Sequence, residues 1–242
     1  MENIYTIPVN EAFEASAADN TCGCPFCALY NKLEDDQLDL ILGASMMEPD
    51  VRIKTNEEGF CRTHYDMMFT RKNRLGMALT LESHLAELKK DLKGGMLVKR
   101  GDKAVKRIEK LEGSCFVCRR IEFNFEHMIE TAVILWNVDE EFRPKLLAQP
   151  YFCLPPLSRM LKYAQKKLDK KTYAEFEKAV FSIEDGYIEK ISEDVSWFCK
   201  KFDYRYENEP WKDSKDSVER SMKLLRSDLH HPPQKKKSEK DQ

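Results

Sequence analysis

The sequence of 242 residues has no excess of charge of either sign: 40 basic residues stand against 42 acidic ones, for a formal net charge of −2. A chain this close to neutral has no long-range field to gather nucleic acid, so any phosphate contact would rest on a local patch. Long apolar runs are missing too. The best, Thr131 to Trp136, falls far short of the roughly 18 apolar residues that a membrane span requires. The N-terminal stretch MENIYTIPVNEAFEASAADN carries acids but no basic start followed by an apolar run, so it does not read as a secretory signal. These absences lead to the expectation of a cytoplasmic protein with no membrane association. No alternating strand pattern stands out, which excludes a substantial sheet. Nor is there an HExxH pairing, the commonest way for one helix to supply both zinc ligands and a general base.

Eight cysteines are present, and in a reducing compartment they point to metal binding or thiol chemistry before structural disulfides. Their spacing repeats. Cys24-Pro-Phe-Cys27 is followed after 33 residues by Cys61-Arg-Thr-His64, and Cys115-Phe-Val-Cys118 after 34 residues by Cys153-Leu-Pro-Pro156. In both halves an arginine, Arg52 or Arg143, lies 25 residues past the second cysteine of the pair, and a phenylalanine, Phe60 or Phe152, precedes the returning cysteine. This agreement reads as a tandem duplication.

Residues at i and i+3 of a helical turn point the same way, so one CxxC or CxxH turn can offer both side chains to a single ion. Asn20 and Thr21 ahead of the first pair, with Pro25 inside it, suit a helix start, where the free N–H groups favour thiolate over thiol. Two such turns, carrying Cys24, Cys27, Cys61 and His64, would make the closed Cys₃His set of a structural Zn²⁺ site. Cys22 offers a further thiolate that could replace Cys24 or sit outside. In the second half Pro156 has no donor atom. Cys115, Cys118 and Cys153 could hold a second zinc with water, Cys199 or His127 in fourth place, or form a degenerate site that holds none.

The remaining chain is patterned for helices. Leu75, Ala78, Leu81, Leu85, Leu88 and Leu92 recur at three- and four-residue steps, and Gly94-Gly95 ends the run. Leu33, Leu38 and Ile41 form a shorter series after the first CxxC; Ile121, Phe125, Met128, Ala132 and Leu135 follow the second; a longer stripe runs from Phe176 to Phe198. The predicted fold is all-α and built on the duplicated unit: an N-terminal segment 1–20, a first repeat 21–95, a basic linker 96–113, a second, degenerate repeat 114–228 and a disordered tail 229–242. His84, beside the leucine stripe, reads as solvent-facing or hydrogen-bonded, and His230 and His231 as part of the tail. The basic stretches Leu97–Lys110 and Lys162–Lys171 lack interleaved aromatics for base stacking, which argues against nucleic acid.

The motifs IYTIPVNEAF, CPFC, MEPDVR, GFCRTH, NRLGMAL and KFDYR, spread from Ile4 to Met222, resemble those of a bacterial family known only as a domain of unknown function, with paired CPxC and FCxxH motifs and a closing KFDYR. The resemblance implies a helical, metal-binding cytosolic protein without an established reaction. Relatives are similar in carrying a second histidine, from which Pro156 departs. The leading reading is a zinc-stabilised helical scaffold for a protein partner or ligand. The alternatives are a metalloenzyme using an incomplete Cys₃ zinc in the second repeat, and a thiol redox sensor that releases zinc on oxidation.

Overall fold

A computed structural model describes residues 4–93 and 99–231; the expected helix end at Gly94-Gly95 and the tail beyond His231 lie outside the described residues. Among those described, eleven α-helices account for most of the chain and no strand occurs, so the fold is all-α. The chain divides into two compact units that interleave in sequence, Met1–Tyr30 with Phe125–Leu229, and Asn31–Asn124 with His230–Gln242. The divisions fall inside helices α2 (Pro25–Leu42) and α7 (Phe116–Val138), away from the boundaries expected between the repeats.

The first unit contains α1 (Thr6–Ala18), the opening of α2, most of α7, α8 (Phe142–Leu147), α9 (Leu154–Lys167), α10 (Lys170–Lys200) and α11 (Ser217–Arg226). Phe13 is fully buried, with the rings of Phe26, Phe142 and Phe152 at 5.5, 4.9 and 6.1 Å. Edge-on and tilted packing of this kind adds to the area that such large rings remove from water. Phe125, Met128, Ala132 and Leu135 of α7 are buried, as their spacing requires. Asp169 caps α10 by accepting the N–H groups of Lys171 and Thr172. Where α10 ends, Lys201 donates to the carbonyls of Tyr206, Glu207 and Glu209, closing the loop that contains the KFDYR sequence.

The second unit holds the rest of α2, α3 (Pro49–Glu58), α4 (Arg62–Thr70), α5 (Arg74–Asp91), α6 (Arg100–Glu112) and the start of α7. The segment expected to be a linker is therefore largely helix. Arg107 of α6 anchors it by donating to the carbonyls of Asn56 and Glu57 at the end of α3. In α5 the leucine stripe is not the buried face: Leu75 is 69% and Leu85 60% exposed and Leu81, Leu88 and Leu92 are half-buried, whereas Gly76, Thr80 and His84 are buried. The cause is close packing through small residues. A Cβ on Gly76 would lie 2.5 Å from the carbonyl oxygen of Leu42, and Asn73, which caps α5 by accepting from the Gly76 amide, donates to that same carbonyl. The approach admits the small residues and excludes the leucines, and His84 is drawn in with them rather than left facing solvent.

Candidate metal centres

Four helix starts carry the cysteines and His64. Cys61 and Cys153 stand immediately before α4 and α9, and Cys24 and Cys115 immediately before α2 and α7; Cys27, His64 and Cys118 follow three residues after their partners, inside the first turn. The sulfur of Cys115 accepts the backbone N–H of Cys118, acting as the helix cap that a serine or aspartate would otherwise provide. Each site thus gathers sulfur at the positive ends of two helix dipoles, which stabilises thiolate.

The four-ligand site expected from Cys24, Cys27, Cys61 and His64 does not form. Cys61 and His64 meet Cys115 and Cys118 in the second unit, while Cys24 and Cys27 meet Cys153 in the first. Nor do Cys115, Cys118 and Cys153 make a second site, because Cys153 belongs with the other pair. Hydrogen bonds outside the helices decide the exchange. Phe116 donates its amide to the carbonyl of Gly59 at 3.0 Å, Ser114 donates to the carbonyl of Glu58, and Arg119 pairs with the Glu58 side chain. These bonds stitch residues 58–60 to 114–119 and bring Cys61 beside the second CxxC. In the first unit Ser16 donates to the carbonyl of Gly23, and the amide of Cys153 donates to Cys24 Sγ at 3.3 Å.

In the Cys61–His64–Cys115–Cys118 cluster all four donor atoms lie within 4.8 Å of one another. Cys61 Sγ is 3.8 Å from Cys118 Sγ, and His64 Nδ1 is 3.1, 3.3 and 3.4 Å from the sulfurs of Cys61, Cys115 and Cys118. Tetrahedral zinc, with bonds of about 2.3 Å to sulfur and 2.0–2.1 Å to nitrogen, sets sulfurs about 3.8 Å apart and sulfur and nitrogen about 3.6 Å apart. The donors therefore fit such an ion with movements of a few tenths of an ångström. His64 presents Nδ1 to the sulfurs because Nε2 is held 2.9 Å from the buried carboxylate of Glu34, which also bonds His230 Nδ1 at 2.6 Å.

Proton affinities in this cluster reflect crowding of like groups. The Cys115 thiol is held down to about 3 by its hydrogen bond with Cys118 and, against the effect of burial, by His64. Cys118 is pushed above the ordinary thiol range by Cys115, by burial and by the negative charge beside it. Burial works against a charged His64, yet the bonds to Cys115 and Glu34 outweigh it and lift the ring to about 10. Burial likewise opposes ionisation of Glu34, but His230 and His64 bring it down to about 2. So many sulfurs cannot all lose their protons at this separation unless a cation sits among them.

The Cys24–Cys27–Cys153 cluster is wholly buried, and Cys27 Sγ lies 3.2 Å from Cys153 Sγ. Pro156, also buried, stands in α9 where His64 stands in α4. Cys22 and Cys199 are exposed and belong to neither group, and His127 pairs with Glu130.

Glu34 and His230 escape a reading for ligand motifs. Glu34 had a signal: Cys27, Glu34, Leu38 and Ile41 share the buried face of α2, and a carboxylate in an apolar stripe needs a partner. His230 had none, standing between Leu229 and His231 in a stretch with no helical periodicity.

A family model described as a family of unknown function (DUF6062) matches residues 1–232. No curated protein and no solved structure matches the chain.

Proposed function

The chain belongs to the family of unknown function DUF6062, and since that membership brings no reaction with it, we propose a function from the site itself: a zinc-stabilised helical scaffold that engages a protein partner. The observation that carries this reading is the convergence of Cys61, His64, Cys115 and Cys118 within 4.8 Å, three sulfurs and one nitrogen, the closed donor set of structural zinc. Glu34 supports it from behind. A carboxylate on the second ring nitrogen of a liganding histidine fixes the tautomer and makes the nitrogen facing the metal a better donor.

With four protein ligands, no position is left for a substrate or an activated water, so the ion holds structure and performs no chemistry. It ties α4 to α7, whose starts are 54 residues apart in sequence (Arg62 to Phe116). Zinc bound by such ligands contributes about 10–16 kcal/mol in small peptides, comparable with the whole stability of an ordinary domain. Thiolates kept for a metal are in keeping with a reducing compartment such as the cytoplasm.

The test is metal analysis of protein purified without added zinc, followed by thermal melting with and without a strong chelator. Bound zinc whose removal lowers the melting temperature supports the scaffold. Protein that is free of metal and melts identically with chelator overturns it.

A further inference from the structure

The second sulfur cluster uses none of the residues of the zinc reading and differs from that site in kind. Cys24, Cys27 and Cys153 are 2%, 5% and 0% exposed, and their sulfurs lie within 4.8 Å of one another. Among the described residues no histidine, aspartate, glutamate or further cysteine completes the group. The turn that supplies His64 in the other site supplies Pro156 here. The Tyr151 hydroxyl lies close by, 3.2 Å from where a Cβ on Gly23 would stand. A phenol oxygen is a hard donor and a poor ligand for a soft ion, which prefers sulfur.

What surrounds the sulfurs is built to hold negative charge. The amide of Cys153 donates to Cys24 Sγ at 3.3 Å and the amide of Asp228 to Cys27 Sγ at 3.4 Å. Asp228 reaches Cys27 because Ser227 turns the chain at φ 72°, a left-handed conformation that costs a non-glycine residue energy and marks a constrained site. Glu184, buried in α10, accepts the Phe152 amide at 2.6 Å and so fixes the segment that delivers Cys153. The first turns of α2 and α9 add their dipoles.

We propose that Cys24, Cys27 and Cys153 form a three-thiolate site for a soft, three-coordinate cation, cuprous copper. Zinc in a structural site completes a tetrahedron, and among the described residues no fourth histidine, cysteine or carboxylate joins the three sulfurs. Thiolates alone select soft ions, of which Cu(I) accepts a shell of three sulfurs and needs no water. Two N–H donors and two helix starts offset the excess negative charge of three thiolates on a monovalent ion. Binding displaces whatever thiol protons remain to solvent and involves no electron transfer, because copper enters already reduced.

The full-length protein, with zinc loaded at the first site and kept under reductant, would be titrated with Cu(I) against a chromophoric Cu(I) chelator, and the bound copper examined by X-ray absorption. One copper per chain with a first shell of three sulfurs is expected. It should persist in Cys199→Ser, an exposed cysteine of neither cluster, and be lost in both Cys27→Ser and Cys153→Ser, with helix content by circular dichroism as the folding control. Nitrogen or oxygen in the copper shell of the wild-type protein overturns the proposal whatever the variants do. So does copper retained in Cys153→Ser, failure of the wild-type protein to compete with the chelator, or zinc that displaces the copper.

Discussion

His64 Nε2 and a carboxylate oxygen of Glu34 lie 2.9 Å apart, both groups buried, while the other ring nitrogen of His64 faces three sulfurs. The carboxylate sets which nitrogen faces the three sulfurs. Replacing Glu34 by glutamine keeps an acceptor but removes the charge, and loss of such an outer partner typically weakens metal affinity about 10–100-fold. Zinc competition against a chromophoric chelator should show this loss in Glu34→Gln and a smaller one in His230→Ala, which leaves the carboxylate in place.

Gly59 has φ 63° and ψ −159°, in a region that is nearly confined to glycine, and a Cβ there would meet Leu111 at 2.9 Å and His84 at 3.5 Å. Its carbonyl also receives the Phe116 amide. Gly59→Ala should therefore cost roughly 1–3 kcal/mol in backbone strain alone, and it should weaken zinc binding as well. Urea melts with zinc in excess and with zinc removed would separate the two effects.

Glu184 is an acid whose ordinary pKa of 4.5 is raised to about 7, chiefly by burial, against the pull of the Phe152 amide. Below the ordinary value the folded and unfolded chains are both protonated there. Between that value and 7 the unfolded chain ionises freely while the folded one holds its proton, so stability falls as pH rises through this window. Glu184→Gln removes the dependence and should gain on the wild type by roughly 2 kcal/mol between pH 5 and pH 8. Chemical denaturation at the two values of pH reads the difference.

Lys201 holds three loop carbonyls at 2.6–2.8 Å and lies over the Trp211 ring. Lys201→Met keeps the length of the side chain and loses every hydrogen bond, at a cost of about 2–3 kcal/mol. Tryptophan fluorescence should report a loosened loop, with metal content unchanged.

The sequence revealed the helical class, the α7 stripe and the cysteine and histidine turns that come together in clusters, because periodicity and spacing report which side chains share a turn. They do not report which turns meet. The partner of Cys61 was set by bonds such as Phe116 to Gly59, made between residues with no mark in the sequence. The α5 stripe misled for a related reason: Gly76 and Thr80 lie on the face that packs, and close approach favours small residues over the leucines that periodicity selects. His230 acts through a contact with Glu34, 196 positions away, beyond the reach of any local pattern.

The most direct measurement is the zinc content and zinc coordination shell of Cys115→Ser and Cys24→Ser, prepared side by side. The zinc that has a histidine nitrogen in its shell should disappear from Cys115→Ser and remain in Cys24→Ser with three sulfurs and one nitrogen. Histidine-bound zinc that survives in Cys115→Ser and is lost from Cys24→Ser would contradict the account.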